Sequence, residues 1–275
     1  MENEKRLKEL YLASFTEDSP EDADFLFENV FSKAELIAKE EKGKVVSMLF
    51  LMDCCLKTNS GNLPYYYLYA ACTDPEYRGK GLMGELLQEA KDFAKNKGKK
   101  GIILKPAKPS LFTFYERYGF SPFFKVSKAI LNSGALASFK NTETKDISLE
   151  RWWELRQNIL SNLSDCFVSF DKELFLSAAS DCKVATDGNG SFVVYEIRED
   201  TLLCKECIFE NSKENGVFEI VATLLRKNNI EKAELRFPAN KNPAIMKYTE
   251  EKYFSVISDV DRLCAQNPYH GFAFD

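Results

Sequence analysis

One short turn carries the residues of this sequence that are most able to do chemistry. The segment DPEYRGKGLMGELL, residues 74–87, places Arg78 and Lys80 among three glycines. Glycine lets a backbone approach a ligand closely, and a helix that begins near Gly81 points free N–H groups and the positive end of its dipole at the turn. The two cations stand in a chain whose formal net charge is −5. Together these features predict a site for an anion, and a diphosphate is the natural fit.

The glycine spacing also matches the G-x-G-x-x-G fingerprint of dinucleotide-binding proteins, but its surroundings do not. That fingerprint follows a strand directly, and an acidic residue about 20 positions later binds the ribose. Here TDPEYR separates the strand from the first glycine, and Lys105 stands near the end of the next strand. The earlier elements also read as antiparallel hairpins, and no Gly-Lys-Ser/Thr completes a P-loop. A nucleotide-dependent oxidoreductase is therefore a minor alternative.

Apolar periodicity places this turn between a strand and a helix. Alternation over 64–73 predicts the strand, and helical spacing over 81–97 predicts the helix. Two short helices, 5–15 and 22–31, and an antiparallel meander come before them. A short strand, a helix opened by Pro109 and a longer strand follow. The order predicts a mixed α+β fold with a mostly antiparallel sheet flanked by helices.

The second half of the chain repeats this order of elements without repeating the sequence. A change of composition at 133–147 marks the boundary, so we expect two domains, residues 1–135 and 145–275. A chain of 275 residues agrees with two domains of ordinary size. We therefore expect two copies of one fold.

The stretch YLYAACTDPEYRGKGLMGELLQEAKDFAKNKGKKGIIL, followed by FTFYERYGFSPF, resembles the GNAT acetyltransferase superfamily. Arg78 and Gly81 match its Gln/Arg-x-x-Gly-x-Gly/Ala signature after the fourth strand. FYERYGF, residues 114–120, matches its later Phe/Leu-Tyr-x-x-x-Gly-Phe segment. The resemblance implies that the turn amides hold the pyrophosphate of coenzyme A and that the fourth strand pairs with the pantetheine arm. It covers residues 30–125.

This resemblance gives the expected cofactor, acetyl-CoA, and an expected set of cofactor-binding residues. They are Cys72, Thr73, Arg78, Gly79, Lys80, Gly81, Leu82, Met83 and Gly84. Two positions depart from the family pattern: Met83 stands where Gly or Ala is usual, and Lys108 stands where many members have Asn. The implied activity is N-acetyl transfer to a primary amine of an unidentified small-molecule or peptide acceptor.

The wording ACTDPEYRGKGLM is most similar to the tandem acetyltransferases related to the enhanced-intracellular-survival group. In that group a degenerate second copy follows the first, so we expect two GNAT-like domains here. The segment that would correspond to the phosphate turn, 211–220, contains only Gly216 and no Arg-x-x-Gly-x-Gly. We therefore expect the second domain not to bind coenzyme A.

Acetyl transfer needs an amine that loses a proton, a polarised thioester carbonyl and a protonated leaving thiolate. Backbone N–H groups around Cys72 and Thr73 are placed to polarise the carbonyl. Tyr115 matches the family tyrosine that protonates the thiolate, and an unperturbed tyrosine pKa near 10 keeps it protonated at neutral pH. The alternative for Tyr115 is a buried aromatic, and Tyr118 is expected in the core. A ping-pong route through Cys72 is a minor alternative.

The general base has two candidates, since residues 64–73 contain no carboxylate. Asp53 lies on the preceding strand, where the alternative is a solvent-facing residue. Asp275 ends the apolar segment YHGFAFD, and in the longer relatives the terminal carboxylate reaches the active site. The alternative for Asp275 is a plain last strand of the second domain.

Composition argues against other partners and compartments. An acidic chain without a concentrated basic face is not expected to bind nucleic acid. The single histidine, His270, excludes a His-based triad or a multi-His metal site. The charged N-terminus and the lack of a long apolar run predict neither a signal peptide nor a membrane span. We expect a cytoplasmic protein, with the oligomeric state open.

Eight cysteines are scattered along the chain, and only Cys204 and Cys207 have redox or metal spacing. They fall in a strand-like run, where residues i and i+3 point to opposite faces, so we expect reduced structural thiols in a reducing cytosol. The leading function is thus an acetyl-CoA-dependent N-acetyltransferase. A catalytically silent acyl-CoA-binding or interaction module is the alternative from a different class.

Overall fold

The computed structural model describes residues 2–210, 213–238, 250–258 and 268–271. Its helices are α1 (Glu2–Leu12), α2 (Pro20–Asn29), α3 (Leu82–Asn96), α4 (Ser110–Glu116), α5 (Leu149–Leu163), α6 (Lys172–Ala178) and α7 (Glu214–Asn228). Its strands are β1 (Glu35–Glu41), β2 (Lys44–Thr58), β3 (Gly61–Thr73), β4 (Ile102–Leu104), β5 (Phe120–Asn132), β6 (Lys145–Ile147), β7 (Cys166–Phe170), β8 (Lys183–Thr186), β9 (Ser191–Arg198), β10 (Thr201–Phe209), β11 (Lys232–Pro238), β12 (Glu250–Ser258) and β13 (Pro268–Tyr269). The mixed α+β class with mostly antiparallel strand pairing is confirmed.

The chain divides into two compact units. Unit 1 comprises Met1–Pro122, Ser169–Ser177 and Ser255–Leu263, and unit 2 comprises Phe123–Val168, Ala178–Phe254 and Cys264–Asp275. Each unit is built from three separate segments of the sequence, whereas the predicted domains, 1–135 and 145–275, are each continuous. Those domain boundaries stay a prediction.

In unit 1, β1, β2 and β3 form an antiparallel meander, and β4 then pairs parallel to β3. Lys42 and Gly43 make the first turn with φ of 53° and 74°, as a two-residue hairpin loop requires. Helix α3 connects β3 to β4 and buries its apolar stripe on one face of the sheet, against residues such as Leu51. The opposite face carries an aromatic cluster around Phe50, because adjacent strand residues point to opposite faces.

Unit 2 has the same order of connections. Strands β8, β9 and β10 form an antiparallel meander, α7 follows, and β11 pairs parallel to β10. Helix α7 covers a core of aliphatic and aromatic side chains that includes Val221 and Phe237. A meander, a helix and a parallel strand therefore occur twice in this chain.

The strand geometry corrects the expected placement of Cys204 and Cys207. Cys204 pairs with Tyr195 and Glu206 pairs with Val194, so β10 contains one extra residue, a β-bulge. The bulge restores the facing, and both cysteines pack in the core beneath α7 instead of pointing to opposite faces. Both are free thiols. The sequence pattern near 243–251 also predicts a helix, but most of that segment lies outside the described residues, and its last two positions begin β12 instead.

Candidate active site

Strand β3 is irregular just before the predicted anion turn. Met48 pairs with Cys72 and Phe50 pairs with Tyr69, so β3 has one residue more than β2 in this interval. Ala70 within this bulge is buried and has a φ of 52°, in the left-handed region that costs a non-glycine residue roughly 1–2 kcal/mol. Bulges are over-represented beside active sites because they redirect side chains and end strand pairing. The bulge thus marks the part of β3 that leads to the turn.

The glycine turn leaves the start of α3 open. Gly79 and Gly81 have φ of 77° and 85°, conformations that glycine adopts without the cost a side chain brings. A Cβ atom built at either position would have no other atom within 4 Å. Gly81 is the N-cap of α3, and no side chain caps the helix there. The first amides of α3, with the positive end of its dipole, therefore face open space and suit an anion.

Both predicted cations lie beside this opening and are exposed. Arg78 donates a hydrogen bond from Nε to the carbonyl of Thr73 at 3.0 Å, which folds its side chain back to the end of β3. Lys80 places Nζ 4.3 Å from the ring centroid of Tyr77, within reach of a cation–π attraction. The turn therefore has two positive charges at its rim, held by neighbouring groups.

The residues in the first turn of α3 differ in where they lie relative to the core. Met83 is half-buried and packs against the hydrophobic cluster beneath the helix. Its side chain is therefore turned toward the core, so the departure from Gly or Ala at this position does not place a side chain in the anion turn. Leu82 is half-buried as well, and Gly84 is buried. Lys108, the other departure, is an exposed residue just before α4.

Cys72 and Thr73 close β3 beside the turn. Ser47 on β2 donates a hydrogen bond to the carbonyl of Cys72 at 3.2 Å, and its hydroxyl lies 2.8 Å from that of Thr73. These contacts fix the backbone of the strand end. Burial raises the pKa of the Cys72 thiol to about 12, so almost no thiolate forms at neutral pH. A ping-pong route through this cysteine is therefore disfavoured, because the thiolate is the nucleophile.

Tyr115 lies on α4 in the same hydrophobic cluster as α3 and β3. It is 7% exposed, and its ring packs edge-on against Phe120 with centroids 5.8 Å apart. Burial raises the pKa of its phenol to about 12. Among the residues that the structure describes, no hydrogen bond engages its hydroxyl. The group is thus a protonated donor that has no acceptor within the described part of the chain.

The two candidate bases have different outcomes. Asp53 lies on β2 opposite Tyr66, four residues before the bulged Ala70, which is roughly 13 Å along an extended strand. Its carboxylate is exposed and forms an ion pair with Lys99. This placement lends no support to Asp53 as a base, and that role stays a prediction. Asp275 lies outside the described residues, so its role also stays a prediction.

The helix that corresponds to α3 in unit 2 begins differently. Gly216 lies in the first turn of α7, and a Cβ there would be 2.5 Å from Oδ2 of Asp187 and 2.2 Å from Oγ of Ser191. Asp187 also accepts hydrogen bonds from the amides of Asn189 and Ser191 at 2.8 and 3.1 Å. A carboxylate thus already lies against this helix start, where a bound phosphate would meet a like charge.

Comparisons with known proteins agree with the geometry of unit 1. Residues 2–123 match the family model of the acetyltransferase (GNAT) domain. The likeness to the GNAT acetyltransferase domain therefore covers this segment, which contains the glycine turn, α3 and α4. No curated protein sequence matches the chain.

Solved structures share the fold over nearly the whole chain. A conserved protein from Enterococcus faecalis V583, described as a probable N-acyltransferase, is 15% identical with a TM-score of 0.74, over 93% of this chain and 70% of that one. A GCN5-related N-acetyltransferase from Anabaena variabilis ATCC 29413 is 13% identical with a TM-score of 0.73, over 95% and 71%. Eis1 from Mycobacterium abscessus is 12% identical with a TM-score of 0.65, over 94% and 71%. At these identities the likeness concerns the fold.

Within the described ranges, no helix is both long enough and apolar enough to cross a membrane. In the same part of the chain, no group of three or more His, Cys, Asp or Glu side chains is arranged to hold a metal ion.

Proposed function

We propose that this protein is an acetyl-CoA-dependent N-acetyltransferase that transfers the acetyl group directly to a primary amine. The observation that carries the proposal is the open glycine turn at the uncapped start of α3, within the segment that matches the GNAT domain. Acetyl-CoA, when bound, supplies the acetyl group as a thioester. The residues of the turn fit its diphosphate, because they offer free amides, a helix N-terminus and two cations.

The strand end fits the acyl group. Ser47 holds the end of β3 next to the Ala70 bulge, through the carbonyl of Cys72 and the hydroxyl of Thr73. N–H groups that are fixed before the reaction can stabilise negative charge on the carbonyl oxygen without reorganisation. We assign this strand end the polarising role and the contact with the pantetheine arm.

Tyr115 stabilises the leaving sulfur. A phenol with a pKa of about 12 is a weaker acid than an ordinary thiol, whose pKa is about 8.5. Tyr115 therefore serves best as a hydrogen-bond donor that stabilises the developing thiolate and keeps its own proton. The amine gives its proton to the base, for which Asp275 and Asp53 stay the predicted candidates, and the base passes it on to the thiolate or to solvent.

Unit 2 has a supporting role in this proposal. Asp187 against the start of α7 argues that unit 2 binds no coenzyme A. The repeated order of meander, helix and parallel strand supports a second, degenerate GNAT-like domain.

The experiment that tests the function measures product. The full-length chain is incubated with acetyl-CoA and a panel of primary amines, and N-acetyl products are identified by mass spectrometry alongside the coenzyme A released. We expect one molecule of N-acetylated amine for each molecule of coenzyme A released, and no product from the Arg78→Glu variant. Binding of acetyl-CoA without any product across small-molecule and peptide amines would favour the silent acyl-CoA-binding module instead.

A further inference from the structure

The side chain of Tyr118 lies so close to Gly84 that any side chain at position 84 would clash with it. A Cβ on Gly84 would lie 2.3 Å from the hydroxyl oxygen of Tyr118 and 2.5 Å from the ring atoms Cε1 and Cζ. The phenol of Tyr118 therefore lies directly on the first turn of α3. Because Cβ atoms point toward the N-terminus of a helix, the hydroxyl lies on the side of Gly84 that faces the anion turn.

The chain holds Tyr118 in this position from two directions. Lys91, two turns further along α3, donates a hydrogen bond to the carbonyl of Tyr118 at 2.8 Å. The amide of Tyr118 donates to the carbonyl of Tyr115 at 3.0 Å. The ring also packs on Phe114, with centroids 5.1 Å apart. The backbone of Tyr118 is thus fixed to α3, and its ring has a defined neighbour.

The hydroxyl of Tyr118 is the part of the side chain on which the inference depends. Tyr118 is half-buried and packs against the hydrophobic cluster beneath α3, which agrees with the core position expected of it. Among the described residues no hydrogen bond engages its hydroxyl. A buried tyrosine hydroxyl usually has a partner, and this one lies against Gly84 in the first turn of α3.

We infer that Tyr118 is a cofactor-binding residue whose hydroxyl donates a hydrogen bond to the diphosphate of acetyl-CoA, and that Gly84 is the residue that admits it. The inference rests on the proposed function, because it needs acetyl-CoA at the glycine turn. The amides of α3, the rim cations and this phenol then converge on one anion. Hydrogen bonds to charged groups are the strong ones.

The arrangement also accounts for the unusual glycine pattern. Gly79 and Gly81 have φ values in the left-handed region, whereas Gly84 does not. Position 84 requires glycine because a side chain there would clash with Tyr118, and not because its backbone needs a positive φ. Met83 stands where the family usually has Gly or Ala, and its side chain turns into the core. The small residue is instead the next one, Gly84, and Tyr118 packs there.

The test compares two acetyl donors. Tyr118→Phe retains the ring and removes only the hydroxyl, and we expect the dissociation constant of acetyl-CoA to rise about tenfold, the effect of losing one hydrogen bond to a charged group. S-acetylpantetheine has the thioester arm without the diphosphate. The kcat/KM measured with this donor should be the same for Tyr118→Phe and the wild type.

A second variant and a control separate the possible outcomes. Gly84→Ala should push the phenol away and weaken acetyl-CoA binding to a similar degree, and adding Tyr118→Phe to it should cause no further loss. Tyr115→Phe, three residues earlier on α4, should lower turnover without weakening affinity.

Three results would overturn the inference. An unchanged acetyl-CoA affinity in Tyr118→Phe would mean that the hydroxyl makes no contact. An equal loss with both donors would place the contact on the pantetheine arm. A wild-type protein that binds no coenzyme A would overturn the proposed function, and this contact with it.

Discussion

Arg6 on helix α1 hydrogen-bonds the carboxylate of Asp74 at the end of β3, with 2.6 Å between Nη2 and Oδ2. The same guanidinium donates from Nε to the carbonyl of Val45 at 2.8 Å. Asp74 in turn accepts a hydrogen bond from the amide of Glu76 at 3.1 Å, at the start of the turn that leads to the glycines. Helix α1 therefore anchors the base of the anion turn through one buried carboxylate.

This pair predicts a pH-dependent stability. Burial alone raises the pKa of Asp74, but the hydrogen bonds from Arg6 and from the Glu76 amide outweigh it, so the pKa lies below its usual value. A depressed pKa stabilises the fold above the unfolded value, near 3.9, and the contribution is lost as pH falls through the folded pKa. Asp74→Asn should lower the free energy of unfolding by about 1–3 kcal/mol at pH 7.

The measurement is urea unfolding of the wild type and Asp74→Asn from pH 7 to pH 2.5. The difference between the two proteins should shrink below pH 4. Glu173→Gln is the matched control, because Glu173 forms an exposed ion pair with Lys33 and such pairs contribute little. A pH-independent difference for Asp74→Asn would contradict the ion-pair explanation.

Substitutions at the two glycines that flank α3 distinguish the cost of backbone strain from an effect on acetyl-CoA binding. Gly81 and Gly98 have similar φ, 85° and 75°, and a side chain at either would meet no other atom within 4 Å. Gly81→Ala and Gly98→Ala should each cost about 1 kcal/mol of stability. Only Gly81→Ala should weaken acetyl-CoA binding, as measured by calorimetry, because it places a methyl group between the amides and the diphosphate. Equal affinities in the two variants would argue against the turn as the site.

Tyr115→Phe should lower turnover by about 10²-fold while leaving acetyl-CoA affinity nearly unchanged, because the hydroxyl acts only on the leaving sulfur. Since burial raises the pKa of Tyr115 to about 12, the phenol stays protonated well above neutral pH. The rate of the wild type should therefore not fall between pH 8 and about pH 10. Single-turnover measurements across this range check both statements. Unchanged turnover in the variant would make Tyr115 a packing residue.

The terminal carboxylate is tested by truncation. Removing residues 274–275 displaces both carboxyl groups of Asp275, which Asp275→Asn would not do. If Asp275 supplies the base, the truncated protein should bind acetyl-CoA normally and acetylate amines at a much lower rate. Undiminished acetylation would leave the terminus a structural role and direct the search for a base to Asp53 or to water.

Local pattern predicted much of the fold, because the governing signals are local. The hairpin at Lys42 and Gly43, helix α3 and the strand before it follow from turn chemistry and apolar period. The openness of the turn at Gly81 follows from glycine at a helix start. These features depend on residues that are neighbours in the sequence.

The bulges could not be predicted, because they depend on pairing between strands. Ala70 is not a residue type that favours positive φ, and nothing in the sequence marks it. The extra residue before Glu206 reverses the facing of every later side chain in β10. For this reason Cys204 and Cys207 face the same core, and only the expectation that they point to opposite faces was wrong. The space requirement at Gly84 arises from Tyr118, 34 positions away, and only the fold brings the two together.

The central claim is that the chain has one acetyl-CoA site, on the glycine turn of unit 1. Isothermal titration of acetyl-CoA into the full-length protein tests it most directly, with Arg78→Glu as the variant that places a like charge beside the diphosphate. We predict one molecule bound per chain and strongly weakened binding in Arg78→Glu. No binding, two molecules per chain, or wild-type affinity in Arg78→Glu would contradict the claim.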